Sequence, residues 1–144
     1  MKKAVALLLL LAAFFSCIKK IKQNCVEVHI YFDKGVWAES VIYIENLLSQ
    51  QGISYKRIDA RRIKENDFSS CARLLTVPGG NPETYRISLG AEGMSNLMAF
   101  VRRGGDYFGI CAGSELVAQT VIWEGIEYSG LRGFFPGKSH RTNP

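Results

Sequence analysis

The sequence predicts an α/β domain in which a mostly parallel sheet is covered by helices on both faces. Short apolar strand patterns alternate with segments of helical spacing from residue 26 to about residue 120. Two of the strand patterns end in glycine-containing turns, at residues 78–81 and 109–113. The 144 residues suffice for one domain, and a composition of 47% hydrophobic and 22% charged residues is that of a globular protein.

The first half of the domain begins with a strand and a helix. Apolar and polar residues alternate between residues 26 and 32, which predicts the first strand. The next segment predicts a helix that stops near Gly52, because apolar residues recur every three or four positions from Val41. Residues 53–58 fit a second strand, whereas residues 59–70 are polar and support no assignment.

The second half repeats the alternation. Residues 74–77 are a compact apolar run that predicts a third strand. Apolar spacing over residues 94–101 predicts an amphipathic helix that is capped at Gly104. Residues 107–110 predict the next strand, and residues 114–120 predict the helix that follows it. Repeated alternation of this kind is typical of a parallel sheet.

A strand, the pattern Gly-x-Cys-x-Gly and a helix together have the layout of a nucleophile elbow. In such a turn, Cys111 adopts a sharp, strained bend so that its sulfur projects clear of the sheet. Gly109 and Gly113 let chain segments pass where a Cβ would collide. The thiolate form of a cysteine placed in this way is able to attack a carbonyl carbon. Packing of glycines around a buried cysteine is the alternative explanation.

The turn after the third strand is the second element of the predicted site. Parallel strands end at a common edge of the sheet, where ligands bind. Backbone N–H groups of the Pro-Gly-Gly turn are therefore expected to face the cysteine and form an oxyanion hole. The predicted oxyanion and substrate-binding residues are Gly79, Gly80, Asn81, Ala112 and Gly113. Without the cysteine, the same turn would need no functional explanation.

Three further polar residues are placed near this edge by the predicted elements. Glu115 falls one turn into the helix after the cysteine, where it either points toward the pocket or complements the helix dipole. Glu39 and Ser40 follow the first strand, and Ser40 is equally explained as a helix cap. His29 lies among strand residues, which favours a surface or packed histidine over a catalytic base.

Several ordered motifs resemble the class I glutamine-amidotransferase-like superfamily, and within it the biotin–protein ligase N-terminal domain. The resemblance covers about residues 26–137 and implies a three-layer, flavodoxin-like fold. Its motifs lie at residues 78–80, 90–93, 100–107, 109–113 and 133–137. In active members of the superfamily, a cysteine attacks the side-chain amide of glutamine, forms a thioester and releases ammonia. A histidine backed by an acidic residue activates that cysteine.

The sequence departs from the superfamily beyond the elbow. His140 is the histidine that follows Cys111, and it is the candidate base, but no acidic residue stands two positions after it. Residues 130–144 support no assignment, and the chain ends early for this fold. The domain at residues 26–144 is therefore expected to be incomplete at its C-terminus.

Two kinds of function remain open at this point. The first is a thiol-dependent amidase or glutaminase-type hydrolase acting on a small-molecule amide or a peptide, without a cofactor. The second is a binding or regulatory module, or a truncated pseudoenzyme, which keeps the fold without a complete Cys-His-Glu triad. No stretch resembles a biotin- or ATP-binding ligase core, so biotin transfer by the chain itself is not expected.

The first sixteen residues predict a signal peptide, since two lysines precede an uncharged, Leu-rich run. Ser16 directly before Cys17 resembles a lipobox, which predicts lipidation at Cys17 and residues 17–25 as a tether. The expected location is a bacterial lipoprotein at a membrane, or the periplasm. An uncleaved membrane anchor is the alternative.

Charge and cysteine content bound the remaining partners. Without Lys2 and Lys3 of the leader, 16 basic residues stand against 13 acidic ones, which is too mild an excess to indicate nucleic-acid binding. No Cys/His spacing indicates a metal site. Cys25 and Cys71 are able to pair in an oxidising compartment, and two free cysteines are the alternative.

Overall fold

A computed structural model describes residues 26–128 and 133–141. The leader, the lipidation candidate Cys17 and the disulfide candidate Cys25 lie outside the described residues. The described strands are β1 (Val28–Tyr31), β2 (Tyr55–Ile58), β3 (Leu74–Val77), β4 (Asp106–Gly109), β5 (Ala118–Trp123), β6 (Ile126–Tyr128) and β7 (Phe135–Arg141). The described helices are α1 (Ala38–Gln50), α2 (Ala60–Lys64), α3 (Pro82–Arg102) and α4 (Ala112–Val117).

Four strands form a parallel sheet in the order β2-β1-β3-β4. Every pairing in this sheet is parallel, and strand β1 lies between β2 and β3. All four residues of β1 are buried, as expected for a strand that is covered on both faces. The order is that of a flavodoxin-like sheet, and it confirms the predicted α/β fold class.

Two apolar clusters lie on opposite faces of the parallel sheet. Ile30 of β1 packs against Val41 and Ile44 of α1 on one face. Tyr31, the next residue of β1, belongs to a larger cluster with residues of α2, α3 and α4 on the other face. The sheet is thus the middle of three layers, because neighbouring strand residues point to opposite faces.

The helix α1 ends two residues before Gly52, as its sequence predicts. Gly52 has a φ of 66° and occurs in the turn that leads to β2. The helix α2 lies within the polar segment that supported no assignment. Its start is fixed by Asp59, whose carboxylate accepts a hydrogen bond of 2.9 Å from the Arg62 N–H. A second carboxylate, that of Asp33, accepts from the Ala60 N–H at 2.9 Å.

The helix α3 is longer than its amphipathic core at residues 94–101. It begins directly after Asn81, whose side chain accepts a hydrogen bond of 2.9 Å from the Thr84 N–H. Gly90, with φ 60° and ψ −169°, interrupts the helix with a kink. Gly104 has a φ of 90° just beyond the end of the helix, which agrees with its predicted role as a cap.

The predicted helix over residues 114–120 is wrong in its second half. The helix α4 ends at Val117, and the chain enters β5 at Ala118. Strand β5 pairs with β6 in an antiparallel hairpin and with β7 in parallel, in the order β6-β5-β7. Strand β7 lies in the tail that supported no assignment, since its pairing partner is some fifteen to twenty residues distant in the chain.

Among the described residues, no helix is both long and apolar enough to cross a membrane. Cys71 is disulfide-bonded, whereas Cys111 is a free, exposed cysteine. Pairing between Cys25 and Cys71 stays a prediction, because Cys25 lies outside the described residues. Within the same part of the chain, no group of His, Cys, Asp and Glu side chains is arranged to hold a metal ion.

Candidate functional site

The turn at Cys111 has the geometry of a nucleophile elbow. Cys111 lies between β4 and α4 with φ 50° and ψ −113°, a conformation that non-glycine residues rarely adopt. Its side chain is exposed. Strain of this kind persists only where the surrounding structure enforces it, and it is concentrated at functional sites.

Two glycines enforce the elbow by close backbone contact. A Cβ on Gly109 would lie 2.6 Å from the carbonyl group of Gly113, and a Cβ on Gly113 would overlap the carbonyl oxygen of Val77. The Ile110 N–H also donates to that Val77 oxygen at 3.0 Å. The hydroxyl of Tyr107 donates to the Gly113 carbonyl at 2.6 Å. The elbow is therefore fixed directly onto the end of β3.

The Pro-Gly-Gly turn after β3 lies beside the cysteine. A Cβ built on Gly79 would be 3.7 Å from the Cβ of Cys111 and 3.4 Å from the hydroxyl oxygen of Ser40. Gly80, with φ 159°, lies against the Gly35 carbonyl and the Tyr85 hydroxyl, where a side chain would collide with both. Three loops, after β1, β3 and β4, thus meet at the carboxyl edge of the sheet.

Hydrogen bonds divide the predicted oxyanion residues into two groups. The Gly79 N–H donates to Ser40 Oγ at 2.9 Å, and the Gly113 N–H donates to the Ile110 carbonyl at 2.9 Å. Because these two N–H groups already have acceptors, Gly79 and Gly113 are not free donors, which differs from the prediction. Within the described chain, the N–H groups of Gly80 and Ala112 have no such protein partner.

Two other predicted residues have structural contacts of their own. Asn81 caps α3 with its side chain and donates its N–H to the Gly35 carbonyl at 2.9 Å, so it holds the turn. Ser40 does not cap α1, whose N-cap is Trp37 without a side-chain hydrogen bond. The Ser40 side chain instead supports the Gly79 peptide beside the cysteine.

Tyr85 packs against the Pro-Gly-Gly turn. Its buried hydroxyl donates to the Gly79 carbonyl at 3.0 Å. Burial, with a further contribution from nearby Cys111, raises the pKa of Tyr85 to about 12. The hydroxyl therefore keeps its proton at neutral pH and acts as a fixed donor to the loop.

The two histidines of the chain differ in their surroundings. His29 is fully buried in β1, which agrees with the packed alternative, and burial lowers its pKa to about 4. His140 is exposed on β7, and alternation along the strand points its side chain away from the face used by Arg141. Arg141 is the residue that reaches the elbow helix, through a bidentate pair with Glu115. The predicted role of His140 as a base thus gains no support from its placement.

The pair of Glu115 and Arg141 is the part of the site that sequence reasoning missed. The sequence predicts that Glu115 either points toward the pocket or complements the helix dipole, and it predicts no role for Arg141. Glu115 is buried, and its carboxylate oxygens accept from Arg141 Nε at 3.0 Å and Nη2 at 2.7 Å. No local sequence pattern predicts this contact, because it joins α4 to strand β7, which is distant in the chain.

The parallel sheet and the cysteine elbow define a glutamine-amidotransferase-like domain. A sequence profile of the family described as "Biotin-protein ligase, N terminal" matches residues 26–141. The chain belongs to this family. It is also 30% identical over 129 residues to an uncharacterized protein of Chlamydia muridarum (strain MoPn / Nigg). That alignment covers 81% of this chain and 49% of the relative, so the chain spans about half of the relative's length.

Proposed function

We propose that this domain uses Cys111 as a thiol nucleophile to cleave an amide bond. The observation that carries the proposal is an exposed cysteine with a φ of 50° at a strand-to-helix turn. Packing alone would favour glycine at such a position, because a Cβ in this conformation is strained. Retention of a side chain there is explained by a need to present its sulfur.

The N–H groups of Gly80 and Ala112, which have no acceptor among the described residues, are the proposed oxyanion hole. The Cys111 thiolate attacks the carbonyl carbon, and the C–N bond breaks as the nitrogen leaves with a proton, as ammonia or an amine. Water then hydrolyses the thioester, which releases a carboxylic acid and restores the thiol. In this proposal no histidine takes part in the reaction, so the protons are exchanged with solvent.

The proposal is tested by ammonia release from glutamine and a panel of simple amides, with wild-type protein and Cys111→Ala. We expect slow release by the wild type and none by the variant. A second measurement is the rate of Cys111 alkylation by iodoacetamide, resolved by peptide mass spectrometry. Alkylation no faster in the folded protein than in urea, together with no release from any amide, would refute the proposed nucleophile.

A binding or regulatory module is the second candidate, and the surroundings of the two histidines favour it. His29 is enclosed in the sheet, and His140 lies on the exposed side of β7, so neither offers a general base to Cys111. A binding module predicts a ligand-dependent rise in melting temperature that survives Cys111→Ala. An enzyme predicts turnover that this substitution abolishes.

We also propose that residues 1–16 direct export and that Cys17 carries a lipid. The lysine pair, the Leu-rich run and the Ser-Cys step support this proposal. Expression in a bacterial host with metabolic labelling by a radioactive fatty acid tests it. Cys17→Ala is expected to abolish labelling and membrane association, while Cys71→Ala serves as the cysteine control. Equal labelling of the wild type and Cys17→Ala would contradict it.

A further inference from the structure

Two arginines converge on one buried glutamate next to Cys111. Glu115 lies one turn after the cysteine in α4, and its N–H donates to the Cys111 carbonyl at 3.2 Å. The Arg141 guanidinium makes a bidentate contact with the Glu115 carboxylate. Arg86 of α3 donates from Nη2 to the Glu115 backbone carbonyl at 2.7 Å. Both cations are thereby held at the first turn of the elbow helix.

The cluster holds two guanidinium groups and two carboxylates, of which one carboxylate is largely exposed. The Glu115 carboxylate compensates Arg141, and Arg86 interacts with Glu83 across 3.8 Å. Glu83 is 70% exposed, so solvent screens it, whereas the Arg86 side chain is 19% exposed. Burial lowers the pKa of Arg86, and the charges of Glu83 and Glu115 act in the opposite direction. Its Nε is buried and has no hydrogen-bond partner in the described part of the chain.

Arg141 keeps part of its guanidinium available. Nε and Nη2 bind Glu115, while Nη1 makes no hydrogen bond within the described chain, and a third of the side chain, 32%, is exposed. The ring of Trp123 lies 4.9 Å from the guanidinium carbon and limits its movement. Hydrogen bonding to Glu115, with an added contribution from nearby Cys111, raises the pKa of Arg141. The guanidinium is thus bound to a residue that lies one helical turn from the cysteine.

We infer that the Cys111 pocket takes a ligand bearing an anionic group, a carboxylate being the best match, held by the free edge of Arg141. A guanidinium fixed by two bonds and an aromatic ring is preorganised, so it loses little conformational freedom when it binds an anion. This inference rests on the proposed site at Cys111 and adds a substrate class to it. Arg141 acts here as a specificity residue.

Two alkylating reagents that differ by one charge test the inference. Iodoacetate and iodoacetamide both react with the thiolate. The ratio of the iodoacetate rate to the iodoacetamide rate at Cys111 is therefore independent of the fraction of thiolate present. We expect the ratio in the folded protein to exceed that in urea by about threefold to fivefold, the effect of a partly screened charge. Arg141→Gln is expected to bring the ratio down to the urea value. Arg141→Lys keeps the charge and is expected to keep most of the preference.

Arg57→Gln is the matched control. Arg57 makes the same bidentate contact, with Glu45 at 2.6 and 2.7 Å, and its guanidinium lies 4.4 Å from the Phe32 ring, but it is on strand β2 at the other edge of the sheet. This variant should keep the wild-type ratio. If Arg141→Gln changes both rates by the same factor, Arg141 is structural and the inference is wrong.

Salt dependence decides the matter if Arg141→Gln does not fold. An electrostatic preference in the wild type falls as salt rises from about 0.01 M to 1 M, because the Debye length shrinks from about 30 Å to 3 Å. A salt-independent ratio, or one equal to that in urea, overturns the inference. Amide turnover is a separate measurement. Amide turnover without a preference for iodoacetate would contradict the anionic ligand and leave the proposed amidase standing. A preference for iodoacetate without turnover would contradict the amidase and leave the anionic ligand standing.

Discussion

The two sheets of this domain differ in how they are covered, and each supplies one part of the site. Strand β1 of the parallel sheet is buried along its whole length, whereas strand β6 of the small sheet is exposed along its whole length. The parallel sheet holds Cys111 in its strained turn, and the small sheet brings Arg141 to Glu115. A buried sheet is suited to enforcing strain, while a half-exposed sheet is suited to presenting a charge to solvent.

The largest effect is expected where the parallel sheet enforces the elbow. The Cβ of Gly113→Ala would overlap the carbonyl oxygen of Val77, so β3 and the elbow are forced apart. We expect a loss of about 3 kcal/mol in the free energy of unfolding, measured with urea, which is typical of overpacking in a core. Rapid alkylation of Cys111 should be lost with it.

Gly125→Ala is the counterpart in the small sheet. Gly125 has a φ of 76° in the turn between β5 and β6, and its Cβ would meet no atom within 4 Å. Only the backbone conformation is then strained, which costs about 1 kcal/mol. Equal losses for the two variants would mean that backbone contact at the elbow is not what distinguishes the sheets.

A pH-dependent loss of stability is expected from the parallel sheet through His29. The folded chain holds its ring neutral, since burial, and then the charge of Lys56, lower its pKa from 6.5 to about 4. Above pH 6.5 the ring is neutral in both states and stability does not change. As pH falls from 6.5 toward 4, the unfolded chain binds a proton that the folded chain does not. The loss reaches about 3 kcal/mol.

Urea unfolding between pH 7.5 and 4.5 measures this dependence. His29→Leu should flatten the profile over that range, while His140→Gln, at an exposed position on β7, should keep the wild-type slope. An unchanged slope in His29→Leu would show that carboxylates, and not the buried imidazole, set the acid limit of stability.

The parallel sheet was predictable because its signals are local. The spacing of Gly109, Cys111 and Gly113 indicates the elbow directly, since each glycine is demanded by a backbone contact within or beside the turn. Helical spacing located α1 and the core of α3 for the same reason. The kink at Gly90 and the start of α2 depend on φ values and on Asp59, which the apolar pattern does not report.

The small sheet was not predictable, because its pattern is weak and its partners are distant. Strand β7 contains Pro136 and Gly137, which both disfavour strands, and from Pro136 onward its residues alternate between exposed and half-buried. Its pairing with β5 ends the helix α4 earlier than the apolar pattern suggests. The contact of Arg141 with Glu115 follows from this pairing and was missed with it.

A smaller effect is expected at the loop after β3, which is hydrogen-bonded to α1 and lies beside the cysteine turn. Ser40→Ala leaves the buried Gly79 N–H without its acceptor, which costs about 1 kcal/mol. Ser49→Ala, at an exposed position on the same helix, should leave the free energy of unfolding unchanged. If Ser40→Ala is as neutral as Ser49→Ala, the loop after β3 is held by Tyr85 and the backbone alone.

The smallest effect is expected at the surface of the small sheet. Lys138 of β7 reaches Glu127 of β6 across the central strand, at 2.8 Å, and both side chains are about half exposed. Such a pair contributes about 0.5 kcal/mol or less, and Lys138→Gln should become neutral in high salt. The bidentate pair of Arg57 with Glu45, whose side chain is 16% exposed, should cost about 1 kcal/mol when broken by Arg57→Gln. If Lys138→Gln loses more stability in urea than Arg57→Gln, surface charge and not apolar packing holds β6 and β7 in place. The contact of Arg141 with Glu115 would then weaken as the salt concentration rises.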